Sequence, residues 1–135
     1  EAEVALNRGL RERHIARVCF DSRALFAASA DDAATREAQR KKLRLPVHVL
    51  PVEAAPLVRY VGHPDLQANL PFLAPWVERV ANWITAGERP YLFIHMPDNG
   101  DALSLALLWH ELLQVRVEGL PDLPIETMQA QPGLF

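Results

Sequence analysis

Between residues 57 and 117 the chain twice repeats one order, an apolar extended run followed by a longer stretch with apolar residues at helical spacing. Leu57-Val58-Arg59-Tyr60-Val61-Gly62 leads into residues 71–86, where Leu73, Trp76, Val77, Val80, Trp83 and Ile84 share a face. Tyr91-Leu92-Phe93-Ile94-His95 leads into residues 101–117, where Leu105, Leu108, Trp109 and Leu112 form a stripe. Strands separated by helices pair in parallel, because the helix is the crossover that returns the chain to the same end of the sheet. The fold class is therefore α/β, with parallel strands and crossover helices.

Punctuation residues set the expected boundaries. Gly87 is placed to cap the first long helix, and Pro71 and Pro75 fit in or before its first turn, where a missing N–H costs least. Asp98 or Asn99 can cap the second helix, and Gly119, Pro121 and Pro124 stop it. Upstream, residues 1–13 carry Val4, Leu6 and Leu10 in a weak helical pattern interrupted by Gly9. Ala16-Arg17-Val18-Cys19-Phe20 reads as a short strand entering Asp21-Ser22-Arg23. Residues 31–44, charged and alanine-rich, read as either an exposed helix or a mobile excursion. Val47-His48-Val49-Leu50, held between Pro46 and Pro51, is restricted to a short extended or edge piece.

At 135 residues, half of them hydrophobic, the chain is long enough for one ordinary core. Seventeen acidic against fourteen basic side chains give a charge of −3, so no global positive field draws it to nucleic acid or anionic membrane. The single Cys19 cannot form an intramolecular disulfide and reads as a buried, inert thiol suited to a reducing compartment. No run approaches the roughly 20 apolar residues of a membrane span, and no signal-peptide layout opens the chain, so no membrane association and a cytoplasmic location are expected. Trp76, Trp83 and Trp109 fall on apolar helical faces and are expected in the core. Three main strands make a poor parallel sheet, since such sheets are normally covered on both faces. Either another chain completes the sheet or this is the back half of a larger barrel, and the isolated chain is then expected to self-associate.

Parallel α/β proteins place their chemistry at the C-terminal ends of the strands. That rule gathers Asp21, Ser22 and Arg23, then Gly62 and His63, then His95, Asp98 and Asn99. Strand alternation puts His95 on the side of Phe93. His95 can exchange a proton near neutral pH or ligate a metal, and Asp98 and Asp21 can orient it, act as bases or bind a hard cation. Arg23 and Arg59 can clamp a phosphate or carboxylate, with Ser22 and Asn99 as further ligand contacts. Plainer roles compete: Asp98 and Asn99 as helix caps, Arg59 as an ion-pair partner of Asp21, and His63 as a loop residue. The run Arg36, Arg40, Lys41, Lys42 and Arg44 is either a solvated face or a nucleic-acid footprint. No Gly-rich phosphate loop, nucleophile elbow, zinc-helix motif or dinucleotide fingerprint is present, so the sequence names neither a cofactor nor a metal.

Asp21-Ser22-Arg23, Val58-Arg59-Tyr60-Val61-Gly62 and above all Tyr91-Leu92-Phe93-Ile94-His95-Met96-Pro97-Asp98-Asn99 resemble the later motifs of the YecE-like family, a domain of unknown function. The basic stretch leading into Leu45-Pro46-Val47 and the Gly119-Leu120-Pro121 ending also resemble it, so the likeness covers nearly the whole chain. It implies a TIM-type (β/α)8 barrel, with residues 1–120 as its C-terminal portion supplying strands six to eight and residues 121–135 as a tail. The chain then reads as a fragment. Barrel-type similarity to the endonuclease IV and xylose isomerase group implies metal or phosphate chemistry by analogy of fold alone. Three functions are carried forward: a barrel enzyme or degenerate enzyme binding a phosphorylated or anionic ligand, a nucleic-acid binding module, and a non-catalytic scaffold.

Overall fold

In a computed structural model, which describes residues 1–48 and 55–125, the chain runs α1 (Ala2–Glu12), β1 (Val18–Asp21), α2 (Arg23–Ala27), α3 (Ala33–Lys41), β2 (Leu57–Val61), a 3-10 turn (Gln67–Asn69), α4 (Leu70–Thr85), β3 (Tyr91–His95), a second 3-10 turn (Asn99–Asp101) and α5 (Ala102–Arg116). The sheet has the order β1-β2-β3 with both pairings parallel. Val18, Leu57 and Tyr91 stand in register at one end, and Asp21, Tyr60 and Ile94 near the other. The fold is thus mixed α/β with crossover connections, as the repeated strand-then-helix order requires.

The long helices bury the faces their spacing marks. α4 buries Leu73, Trp76, Val77, Val80 and Ala81, and α5 buries Leu105, Trp109 and Leu113. They meet Cys19, Val58 and Tyr60 from the sheet, with Leu92 and Ile94 packed alongside. The Tyr60 and Trp109 rings meet edge to face at 5.3 Å, and Trp83 is half-buried beside Trp76. α4 ends as Gly87 suggests: Gly87 N–H donates to the Ile84 carbonyl, Glu88 N–H donates to that of Trp83, and Gly87 sits at φ 86°. Pro71 lies in the first turn, whereas Pro75 falls inside the helix and costs it one intrahelical bond.

Strand alternation leaves the sheet one-sided. Cys19, Val58, Tyr60, Leu92 and Ile94 face the helices, while Val18, Phe20, Arg59, Tyr91, Phe93 and His95 point the other way. Tyr91 and Phe93 are 56% and 52% exposed on that open face. The stretch 31–44, readable as helix or excursion, forms α3, because Asp32 accepts from Thr35 N–H at 2.7 Å and from the Thr35 hydroxyl at 2.6 Å. α2 has no counterpart in the sequence reading. Its five residues are too short for periodicity to register, and it forms by burying Ala24 and Leu25. Cys19 is buried. Val47 and His48 lie in no regular element, while Val49, Leu50 and Pro51 fall outside the described residues, as do residues 126–135 of the tail. Among the described residues no helix is long and apolar enough to cross a membrane.

Candidate functional site

Asp21 ends β1 on the helix-covered side, fully buried, and this corrects its expected place beside His95. One carboxylate oxygen accepts from the Trp76 indole N–H at 2.7 Å and from Arg23 Nη2 at 2.8 Å. The other accepts from Arg23 Nε and from the Arg23 backbone N–H, each at 3.0 Å. Burial pushes the Asp21 carboxyl upward, but the hydrogen bonds from Arg23 and Trp76 outweigh it and hold the group below the ordinary carboxylate range. Such a carboxylate stays charged and is spent within the protein. Its effect is to orient Arg23, whose guanidinium remains half-exposed. Arg23 is therefore the cation that satisfies Asp21, and Arg59 is not: the Arg59 guanidinium lies 6.0 Å from the centre of the Phe20 ring.

Arg59 and His95 come together on the open face. Arg59 stands opposite Phe93 and Val61 opposite His95, so the two polar side chains are diagonal neighbours across β2 and β3. The Gly62 N–H donates to the His95 carbonyl at 2.8 Å and holds the strand ends in register. Burial, then the charges of Arg59 and Lys42, push the His95 imidazole below its ordinary pKa. Lys42 was only one member of a basic run in the sequence. Its approach to a strand end 53 positions away leaves no local signal.

Asp98 does not pair with His95 through any hydrogen bond or ion pair among the described residues. It is exposed, and its Oδ1 accepts from Gly100 N–H at 2.9 Å, capping the 3-10 turn before α5. The capping reading therefore holds for Asp98, while Asn99 is an exposed residue of that turn. His63 is a loop residue whose Nδ1 accepts from Asp65 N–H at 2.9 Å. The loop is tied by Asn69, which sequence reasoning missed. Its buried Oδ1 accepts from the Tyr60 hydroxyl at 2.9 Å and from His63 N–H at 2.8 Å. Its Nδ2 donates to the carbonyls of His63, Asp65 and Leu66. A Cβ on Gly62 would lie 2.6 Å from Leu105 Cδ2 and 2.9 Å from Asn69 Oδ1, so only glycine lets the strand pass so close.

The basic run divides. Arg36 donates to the carbonyls of Ala30 and Asp31. Arg40 and Lys41 each lie 2.8 Å from Glu37, whose carboxyl is held at about 2 by hydrogen bonds from Arg40 first and then Lys41. Of the run, Lys42 and Arg44 form no ion pair among the described residues. Ser22 is buried, and its hydroxyl donates to the Leu43 carbonyl at 2.8 Å. Among the described residues no three His, Cys, Asp or Glu side chains gather as a metal-ligand set.

These elements define a class: a parallel α/β unit with its two long helices on one face, and with arginine and histidine on the other toward the C-terminal half of the sheet. Within that class, the chain belongs to the family described as "Protein of unknown function DUF72", whose profile matches residues 1–131. It is 39% identical over 137 aligned positions to the UPF0759 protein YecE of Escherichia coli strain K12, and 38% identical to that of Escherichia coli O157:H7. Each alignment takes in all of this chain and 48% of the relative, so the chain spans about half the length of these curated relatives. No solved structure matches it.

Proposed function

We propose that residues 1–120 are the C-terminal portion of a TIM-type barrel, with residues 121–135 as a tail, and that its C-terminal strand ends bind a phosphorylated or otherwise anionic ligand. The observation that carries this reading is the pairing of Arg59 with His95 on the open face, the side that would line a barrel interior. Arg59 and Lys42 supply the charge that attracts the anion. His95, whose pKa burial first and then these two charges depress, is neutral near pH 7 and offers the ligand one donor and one acceptor. A bound anion offsets the two cations, raises the affinity of His95 for a proton, and so equips it as a general acid toward that ligand. Asp21 enters as a positioning residue for Arg23 rather than as a base, and Asp98 as a turn cap. The Arg36-to-Arg44 stretch supports a nucleic-acid reading poorly, because Glu37 already occupies Arg40 and Lys41.

The test is an NMR titration of His95 in the full-length protein with and without inorganic phosphate. The expected result is a His95 pKa that rises with phosphate, and a smaller rise in an Arg59→Gln variant. A pKa that phosphate leaves in place, against a resonance that titrates normally, defeats the proposal.

A further inference from the structure

At the β1 end, Ser22, Arg23, Phe26, Ala27, Arg44, Leu45 and Pro46 line a cleft of about 460 Å³. That volume lies within the range of small-molecule sites. Its walls divide by chemistry. Phe26, Leu45 and Pro46 are apolar, and Arg44 stands over the Phe26 ring at 5.7 Å from its centre. On the other side is Arg23, fixed by Asp21 through Nε and Nη2, with Nη1 taken by no protein group among the described residues. The Ser22 hydroxyl spends its proton on the Leu43 carbonyl and brings no donor to a ligand. The charge balance selects the head group. Arg23 is offset by Asp21, and among the described residues no carboxylate pairs with Arg44, so the cleft lining carries one net positive charge, a match for a monoanion.

We propose that this cleft, whose lining includes neither Arg59 nor His95, is a second site for a small carboxylate bearing a flat apolar group. The carboxylate lies between Arg44 and Arg23 Nη1, and the flat group lies on Phe26, Leu45 and Pro46. Asp21 and Trp76 act behind it by keeping Arg23 in place.

The probes are 2-naphthoate, which has both parts, acetate, which has only the head, and 2-naphthol, which has only the body. Each is titrated into the full-length protein and followed by NMR shifts of residues 22–27 and 43–46. 2-Naphthoate is expected to bind at least about tenfold more tightly than either of the others, because 2-naphthol forgoes a charge-assisted hydrogen bond and acetate forgoes burial of the ring. Arg44→Gln, an exposed change that leaves the Asp21 network alone, is expected to lose about that factor. Phe26→Leu is expected to narrow the gap between 2-naphthoate and acetate. Arg40→Gln, on α3 and paired with Glu37, is the control and leaves binding unchanged. Equal affinity for acetate and 2-naphthoate, equal affinity for 2-naphthol and 2-naphthoate, or an Arg44→Gln protein that binds within about twofold of the original overturns the proposal.

Discussion

Replacing Asp21 with Asn tests the polar network that holds Arg23 at the β1 cleft. The substitution keeps the shape and removes the charge. Asp21 accepts four hydrogen bonds, three from Arg23 and one from Trp76. An asparagine has one acceptor oxygen, and its NH2 is turned toward donors, so about two of the four are lost and a donor is set against a donor. Breaking a fully buried ion pair costs roughly 3–5 kcal/mol. Because the Arg23 side chain is 47% exposed and recovers hydration, the expected loss is smaller, about 2–3 kcal/mol. For a domain of this size that is about 6–10 °C in Tm. The sign with pH is fixed by the direction of the shift. The folded Asp21 carboxyl lies below its unfolded value of 3.8, so its stabilisation is complete above that value and is lost as pH falls through the folded pKa. Denaturant melts of the parent and D21N are therefore expected to differ fully at pH 7 and to converge below pH 3.8. Trp76→Phe in both backgrounds completes a double-mutant cycle, with about 1–2 kcal/mol of coupling expected. A D21N protein within about 0.5 kcal/mol of the parent at pH 7, or a gap that is flat with pH, refutes the reasoning.

Gly62→Ala is expected to destabilise by about 1–3 kcal/mol in denaturant melts, because Leu105 and the pinned Asn69 must both move to admit a methyl group; a neutral change would mean that the α5 contact is loose. Arg59→Gln is expected to raise the His95 pKa toward 6.5, measured by NMR, since it removes one of the charges that depress it. With the folded His95 pKa below its unfolded value, that residue weakens the fold as pH drops from 6.5 through the folded pKa. The isolated 135-residue chain is expected to self-associate through the open face that carries Tyr91 and Phe93. Sedimentation of a Phe93→Lys variant should show more monomer than the parent, and a parent already monomeric at high concentration would count against that interface.

The two long helices and the second and third strands were legible in the sequence because each is a run with one dominant period, and burial of that period is what makes it fold. Gly87 and Asp98 were legible for a related reason: a cap is a local bargain between a residue and the few next to it. The stretch 31–44 stayed ambiguous because its apolar signal is weak, and a single Asp32–Thr35 contact decides it. α2 was missed because five residues hold too little pattern and are stabilised by what they pack against.

By itself the sequence determined the parallel α/β order, the helix-facing core and the chemistry on offer at the strand ends. His95 and Arg59 share a face because alternation within a strand is local. Tertiary structure alone decided which charge meets which. Asp21 turns to Trp76, 55 positions away, and takes Arg23 with it, while Lys42 reaches the neighbourhood of His95 and Arg44 settles on Phe26. Asn69 ties down a loop that no motif marks. The physical reason is range: backbone periodicity is written in neighbouring residues, whereas ion pairs and buried hydrogen bonds depend on which distant segments the packed core brings within 3 Å.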